Sequence, residues 1–164
     1  MTPPEHPHHA PRPLRDAMRP HPEGGRHRVI WESGQPVHPL DHRSERAAGT
    51  AIQYLLDPGE GAAWHRVDSD ELWIWQDGGP AHLLTADAPP GAPGHRPTAH
   101  RLGPDGDHRP WDGMHRLVPA GTWQSTRLLE PVYALFVCVV APGFDTRDYT
   151  LLPTRRADPP DGPS

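Results

Sequence analysis

Turn chemistry interrupts every apolar run in this chain, and that interruption decides what it can fold into. Thr50–Leu56 reads as a strand and is stopped by Asp57-Pro58-Gly59. Trp64–Val67 reads as a second, shorter strand, closed by Asp68-Ser69-Asp70. Glu71–Trp75 alternates and ends at Asp77-Gly78-Gly79, with Ala81–Thr85 expected as the returning arm of a hairpin. Val29–Trp31, His100–Leu102 and Met114–Val118 are further short strands, and Tyr133–Val140 carries the strongest strand signal. Leu14–Met18 and Arg43–Ala48 are the only helix candidates, both weak. Many short strands at regular spacing predict an all-β sandwich or barrel.

Proline marks where that body begins and ends. Six of the first twenty residues and four of the last twelve are Pro. Segments so poor in apolar residues cannot bury enough surface to offset the entropy of ordering. The expected organisation is a tail over 1–20, one ordered domain over 21–152, and a second tail over 153–164, the tails being disordered.

Composition excludes several functions. All sixteen basic residues are Arg; without lysine there is no Schiff base, P-loop lysine or lysine general base. The arginines are scattered and the net charge is −5, so nucleic acid is not an expected partner. Cys138 is the single cysteine, which rules out an intrachain disulfide and reads as a small buried hydrophobe. No apolar run approaches the roughly 20 residues of a membrane span, and no signal peptide is evident. A cytoplasmic protein is expected.

Strand alternation gathers the polar candidates. Glu71, Trp73 and Trp75 share one face of their strand, with Leu72 and Ile74 on the other, expected to be the packed side. If the preceding strand turns back, His65 approaches Glu71. Gln124, just past the turn Pro119-Ala120-Gly121, reaches the same space.

These residues resemble the cupin superfamily. Gly59, His65, Glu71 and Gly78 match its first motif except at the second histidine, where Val67 stands; Pro119, Gly121 and Gln124 match the second except at the histidine now replaced by Gln124. The chain is more similar still to a small, poorly characterised branch carrying HPEGG, A-I-x-Y-L-L, HRVDSDE-x-W, VPAG-x-W and APGF segments. These stand here at His21–Gly25, Ala51–Leu56, His65–Trp73, Val118–Trp123 and Ala141–Phe144. Arg26-His27 and Ile74 depart from that branch, which has aromatic residues and a histidine in those places.

The resemblance implies a single jelly-roll barrel, a homodimer, and a small organic molecule bound inside the barrel. It also implies a metal site of three His and a Glu. With only His65, Glu71 and Gln124 left, the expectation is no metal, or a weakly bound divalent Fe, Mn, Ni or Zn. For metal-free chemistry, His65 is the expected base, oriented by Glu71, with Tyr54 as proton donor. His21, Glu23, Trp73, Trp75, Trp123 and Gln124 are the expected ligand-binding residues, with Arg66 and Arg127 in surface ion pairs. The leading expectation is an isomerase-, epimerase- or lyase-like enzyme. A non-catalytic binding or sensor protein and a metal-dependent oxygenase are the alternatives.

Overall fold

The structure, a computed structural model, describes residues 8–104 and 113–153. Most of its strands lie in two facing sheets. The larger takes β1 (Arg19–Pro20), β2 (Arg26–Glu32), β5 (Thr50–Leu56), β12 (Ala134–Ala141), β7 (Asp70–Gly78) and β10 (His115–Val118), in that spatial order. The smaller takes β13 (Tyr149–Leu151), β6 (Gly61–Val67), β11 (Trp123–Leu128), β8 (Ala81–Ala86) and β9 (Thr98–Leu102). β3 (Pro36–Val37) and β4 (Arg46–Ala47) pair separately.

Consecutive strands around the site are not neighbours in a sheet. β6 and β7 lie in opposite sheets, as do β7 and β8. The expected hairpin between Glu71–Trp75 and Ala81–Thr85 is therefore not formed; β7 pairs with β12 and β10, and β8 with β11 and β9. Tight turns such as Asp77-Gly78-Gly79 occur at sheet corners as well as in hairpins, so turn chemistry alone does not choose the pairing.

Between the sheets lies the core, with Tyr54, Leu56, Trp73, Leu83, Leu102 and Phe136 almost fully buried. Glu71 and Trp73 point into it, whereas Leu72 and Ile74 are only partly buried. The expected packed side of β7 was thus its outer side: Glu71 is held inside by a polar partner on the other sheet.

The expected boundary at His21 moves. Within residues 8–20, α1 (Arg12–Asp16) forms, and Ala10 and Met18 are buried against Leu55, Tyr133 and Leu135 on the outer face of the larger sheet. The Ala10 amide donates to Asp57 Oδ1 at 3.1 Å. This stretch contributes few apolar residues, but they cover a face that β5 and β12 leave open, a match invisible in local composition. Residues 1–7 and 154–164 of the expected tails lie outside the described residues. The expected helix at Arg43–Ala48 is also replaced, by β4 and a loop in which Arg43 Nη1 donates to Asp148 Oδ2 (3.2 Å) and Ser69 Oγ (2.9 Å). Among the described residues no helix is long and apolar enough to cross a membrane.

Candidate functional site

A bulge aims the first site residue. In β6, Gln124 faces His65 and Thr126 faces Ala62, so two residues, Ala63 and Trp64, stand opposite Ser125. The extra residue resets the alternation and turns both Ala62 and His65 inward; His65 is 1% exposed. Its Nδ1 lies 2.8 Å from the Ala63 carbonyl. A carbonyl only accepts, so Nδ1 carries the proton and Nε2 keeps the lone pair.

Glu23 is brought to His65 by the turn that precedes β2. Gly24 and Gly25 both have positive φ (109° and 69°), and a Cβ on either would collide with a backbone carbonyl, that of Gly61 or Leu55. Only glycine allows that approach. The turn places Glu23 Oε2 3.4 Å from His65 Nδ1 and 3.8 Å from His21 Nδ1. Its other oxygen accepts from the Tyr149 hydroxyl at 3.1 Å. The Glu23 amide donates to His21 Nδ1 at 3.2 Å, and the His21 ring meets His27 and Tyr54 edge-on.

Glu71 is held from the opposite sheet. Trp73 Nε1 donates to Gln124 Oε1 (2.8 Å), and Gln124 Nε2 donates to Glu71 Oε2 (2.6 Å). An indole N–H only donates, so it fixes the amide oxygen toward itself and the amide nitrogen toward the carboxyl. No contact joins His65 to Glu71; the carboxyl beside His65 is Glu23.

Burial governs the electrostatics. Desolvation pushes the Glu71 carboxyl up to about 7, partly opposed by the Gln124 hydrogen bond. Burial raises Glu23 as well, with the Glu71 charge adding to it and the Tyr149 hydrogen bond opposing. Burial lowers His21 and His65 to about 4. Near neutrality both imidazoles are uncharged, and Glu71 titrates.

These groups surround a cavity of about 220 Å³. His21, Glu23, His27, Glu32 and Glu71 supply its polar lining, and Tyr54, Trp73 and Phe144 its aromatic walls. His65 and Gln124 stand behind this lining and orient it. Tyr54, expected as a proton donor, gives its hydroxyl to the Gly24 carbonyl at 2.7 Å and serves as wall. Trp75 and Trp123, expected as ligand contacts, are elsewhere: Trp75 Nε1 donates to Gly79 O (3.2 Å), and Trp123 lies 5.5 Å beneath the Arg66 guanidinium. Arg66 also sits 3.7 Å from Asp68, and Arg127 is exposed. His27, Glu32, Phe144 and Tyr149 were not anticipated as site residues. Phase along β2 sets His27 with Val29, but Glu32 joins them only through the register shift between Val29 and Trp31, and Tyr149 reaches Glu23 only because β13 pairs with β6.

The residues do not fit the metal implied by the resemblance. Gln124 directs its only side-chain oxygen at Trp73 and Val67 has no donor, which leaves His65 Nε2 and the Glu71 carboxyl where the resemblance implies four ligands. Among the described residues no three His, Cys, Asp or Glu converge as ligands.

Two facing sheets around a cavity with a few buried polar groups define a barrel of the jelly-roll class. The chain belongs to the cupin superfamily: a family model described as "Cupin superfamily (DUF985)" matches residues 15–152. It is similar to a protein from Shewanella oneidensis (27% identity, TM-score 0.68, covering 82% of this chain and 78% of that one). It is also similar to a hypothetical protein from Leishmania major (27%, TM-score 0.69, 85% and 84%). An oxalate decarboxylase from Bacillus subtilis shares the fold at 20% identity and TM-score 0.54, covering 84% of this chain and 30% of that one. No curated protein matches.

Proposed function

We propose that this cupin binds a small organic molecule in the cavity and acts on it by proton transfer, as an isomerase-, epimerase- or lyase-like enzyme. The observation that carries this reading is the Glu71 carboxyl, anchored on one oxygen by Gln124, lining the cavity and titrating near 7. A general base works best with a pKa near the working pH. Glu71 replaces His65 in that role; His65, lowered to about 4, is a neutral support for Glu23. In the proposed step, the Glu71 carboxylate takes a proton from a carbon beside a carbonyl, and the resulting Glu71 carboxylic acid returns it to the enolate.

Native mass spectrometry of the full chain, with identification of any co-purified molecule, tests the binding. Incubating that molecule in D₂O tests the chemistry: wild-type protein exchanges its acidic carbon proton and Glu71→Gln does not. Binding without exchange in the wild type would favour the alternative, a non-catalytic binding or sensor protein. The donor set described above gives a metal-dependent oxygenase little support, and the likeness to oxalate decarboxylase concerns fold alone.

The same reading includes a homodimer in the cytoplasm. Supporting the dimer, β1 covers β2 only at Arg26 and His27, and Val29, Ile30 and Trp31 beyond them are 60%, 46% and 48% exposed. An exposed apolar edge strand is a natural pairing surface.

A further inference from the structure

The polar lining of the cavity has one sign. Glu23, Glu32 and Glu71 all line it, Glu71 buried and the Glu23 side chain 8% exposed, and among the described residues no Arg does. The chain has no lysine. The arginines of the fold are engaged elsewhere: Arg43 and Arg46 on Asp148, Arg28 on Gln53 and Arg66 over Trp123. The hydrogen bonds to the two buried carboxyls come from neutral donors, the Gln124 amide and the Tyr149 hydroxyl. A buried carboxyl stays in its neutral form until a cation stands beside it to favour the ionised one, and among the described residues no Arg lines the cavity to supply that cation.

The walls fit the same partner. Tyr54, Trp73 and Phe144 present rings to the cavity, and an aromatic face attracts an organic cation. The buried Cys138 thiol also lines the cavity. The imidazoles of His21 and His27 complete the polar surface.

We infer that the molecule taken by this cavity carries a positive charge: a small organic ammonium ion, held between the Glu23 and Glu71 carboxyls and the aromatic walls. This rests on the proposed ligand cavity and adds the charge of its occupant. Among the described residues an anion has no guanidinium to meet there, and only a cation favours the ionised form of the carboxyls.

Three probes of one shape and different charge test it: benzylamine (a cation at neutral pH), benzyl alcohol and benzoate. Each is titrated into the full chain by calorimetry at pH 7 and low salt. Benzylammonium is expected to bind at least about tenfold more tightly than benzyl alcohol, with no measurable binding of benzoate. Glu71→Gln and Glu23→Gln, both isosteric, are each expected to bring benzylammonium down to the affinity of benzyl alcohol. Val67→Phe, which fills the cavity, is expected to abolish both. If benzyl alcohol or benzoate binds as tightly as the amine and Val67→Phe abolishes it, the cavity reading stands and the cationic ligand is overturned. If none of the three binds at millimolar concentration, both are overturned. Should either glutamine variant fail to fold, the other variant and the wild-type charge series still decide.

Discussion

The Trp73 indole donates to Gln124 Oε1 at 2.8 Å, and that bond decides which way the amide faces. With its oxygen held, Gln124 has only N–H groups to offer Glu71. A side chain standing at a position associated with metal ligands is thereby a hydrogen-bond bridge between two sheets.

Removing the bridge exposes its cost. Gln124→Leu leaves the Trp73 N–H and one Glu71 oxygen without partners in a buried site. Each such loss costs about 1–3 kcal/mol, so equilibrium urea denaturation is expected to show about 2–4 kcal/mol of destabilisation. The Glu71 carboxyl, losing the bond that lowers its pKa, is expected to titrate above its wild-type value in carboxyl NMR.

The four buried titratable groups pull stability in opposite directions with pH. Glu71 rises from 4.5 to about 7 on folding, so its contribution is full below 4.5 and fades as pH climbs toward 7. Glu23, also raised, has the same sign. His21 and His65 fall from 6.5 to about 4, so their contribution is full above 6.5 and fades as pH drops toward 4. Between these limits the carboxyls and the imidazoles largely offset each other. Glu71→Gln removes one carboxyl term. Relative to wild type, its unfolding free energy is expected to gain about 1 kcal/mol per pH unit between pH 5 and 6.5, measured by denaturation across that range.

Tyr149 ties the C-terminal strand to the site through its 3.1 Å bond to Glu23. Tyr149→Phe keeps the ring and removes the hydroxyl. The expected loss of stability is about 1 kcal/mol. Because that hydrogen bond lowers the Glu23 pKa, the variant's Glu23 carboxyl is expected to titrate higher still by NMR; an unchanged titration would show that the hydroxyl does not reach it in solution.

Gly24 sits at φ 109° with the Gly61 carbonyl where a Cβ would go. Gly24→Ala is expected to lose at least about 2 kcal/mol from strain alone. It should also displace the turn that carries Glu23, seen as lost chemical-shift perturbation between Glu23 and His65.

The exposed β2 edge gives the last expectation. Ile30→Glu places a charge on the 46% exposed side chain at its centre. Sedimentation equilibrium is expected to give a dimer for wild type and a monomer for the variant, with unchanged far-ultraviolet circular dichroism; a monomeric wild type refutes the dimer.

Some of this was legible in the chain before folding, and the reasons are local. Turn residues and strand alternation announced an all-β barrel, because Pro, Gly and Asp restrict the backbone wherever they stand. The motif residues marked His65, Glu71, Glu23, His21, Trp73 and Gln124 as candidates for one site, but not which of them meet. Other features depend on register and sheet choice. Period-2 reasoning could not anticipate the Ala63–Trp64 bulge that turns His65 inward, the separation of β6 from β7, or the covering of Leu55 and Leu135 by Ala10 and Met18. Trp123 fell beside Gln124 in sequence but faces the other way, as adjacent strand positions do, whereas Trp75 shares the side of Trp73 and packs against the core instead of lining the cavity.

The amino-acid sequence by itself determined the barrel, the absence of lysine chemistry and the residue types available to the pocket, all of which follow from composition and local backbone preference. The tertiary structure alone decided that Glu23 rather than Glu71 meets His65, that Gln124 donates to a carboxyl, and that the cavity holds carboxyls without a guanidinium. Those are facts of distance and burial between strands far apart in the chain, and desolvation, which shifts these groups toward or away from neutrality, acts only once the sheets have closed over them.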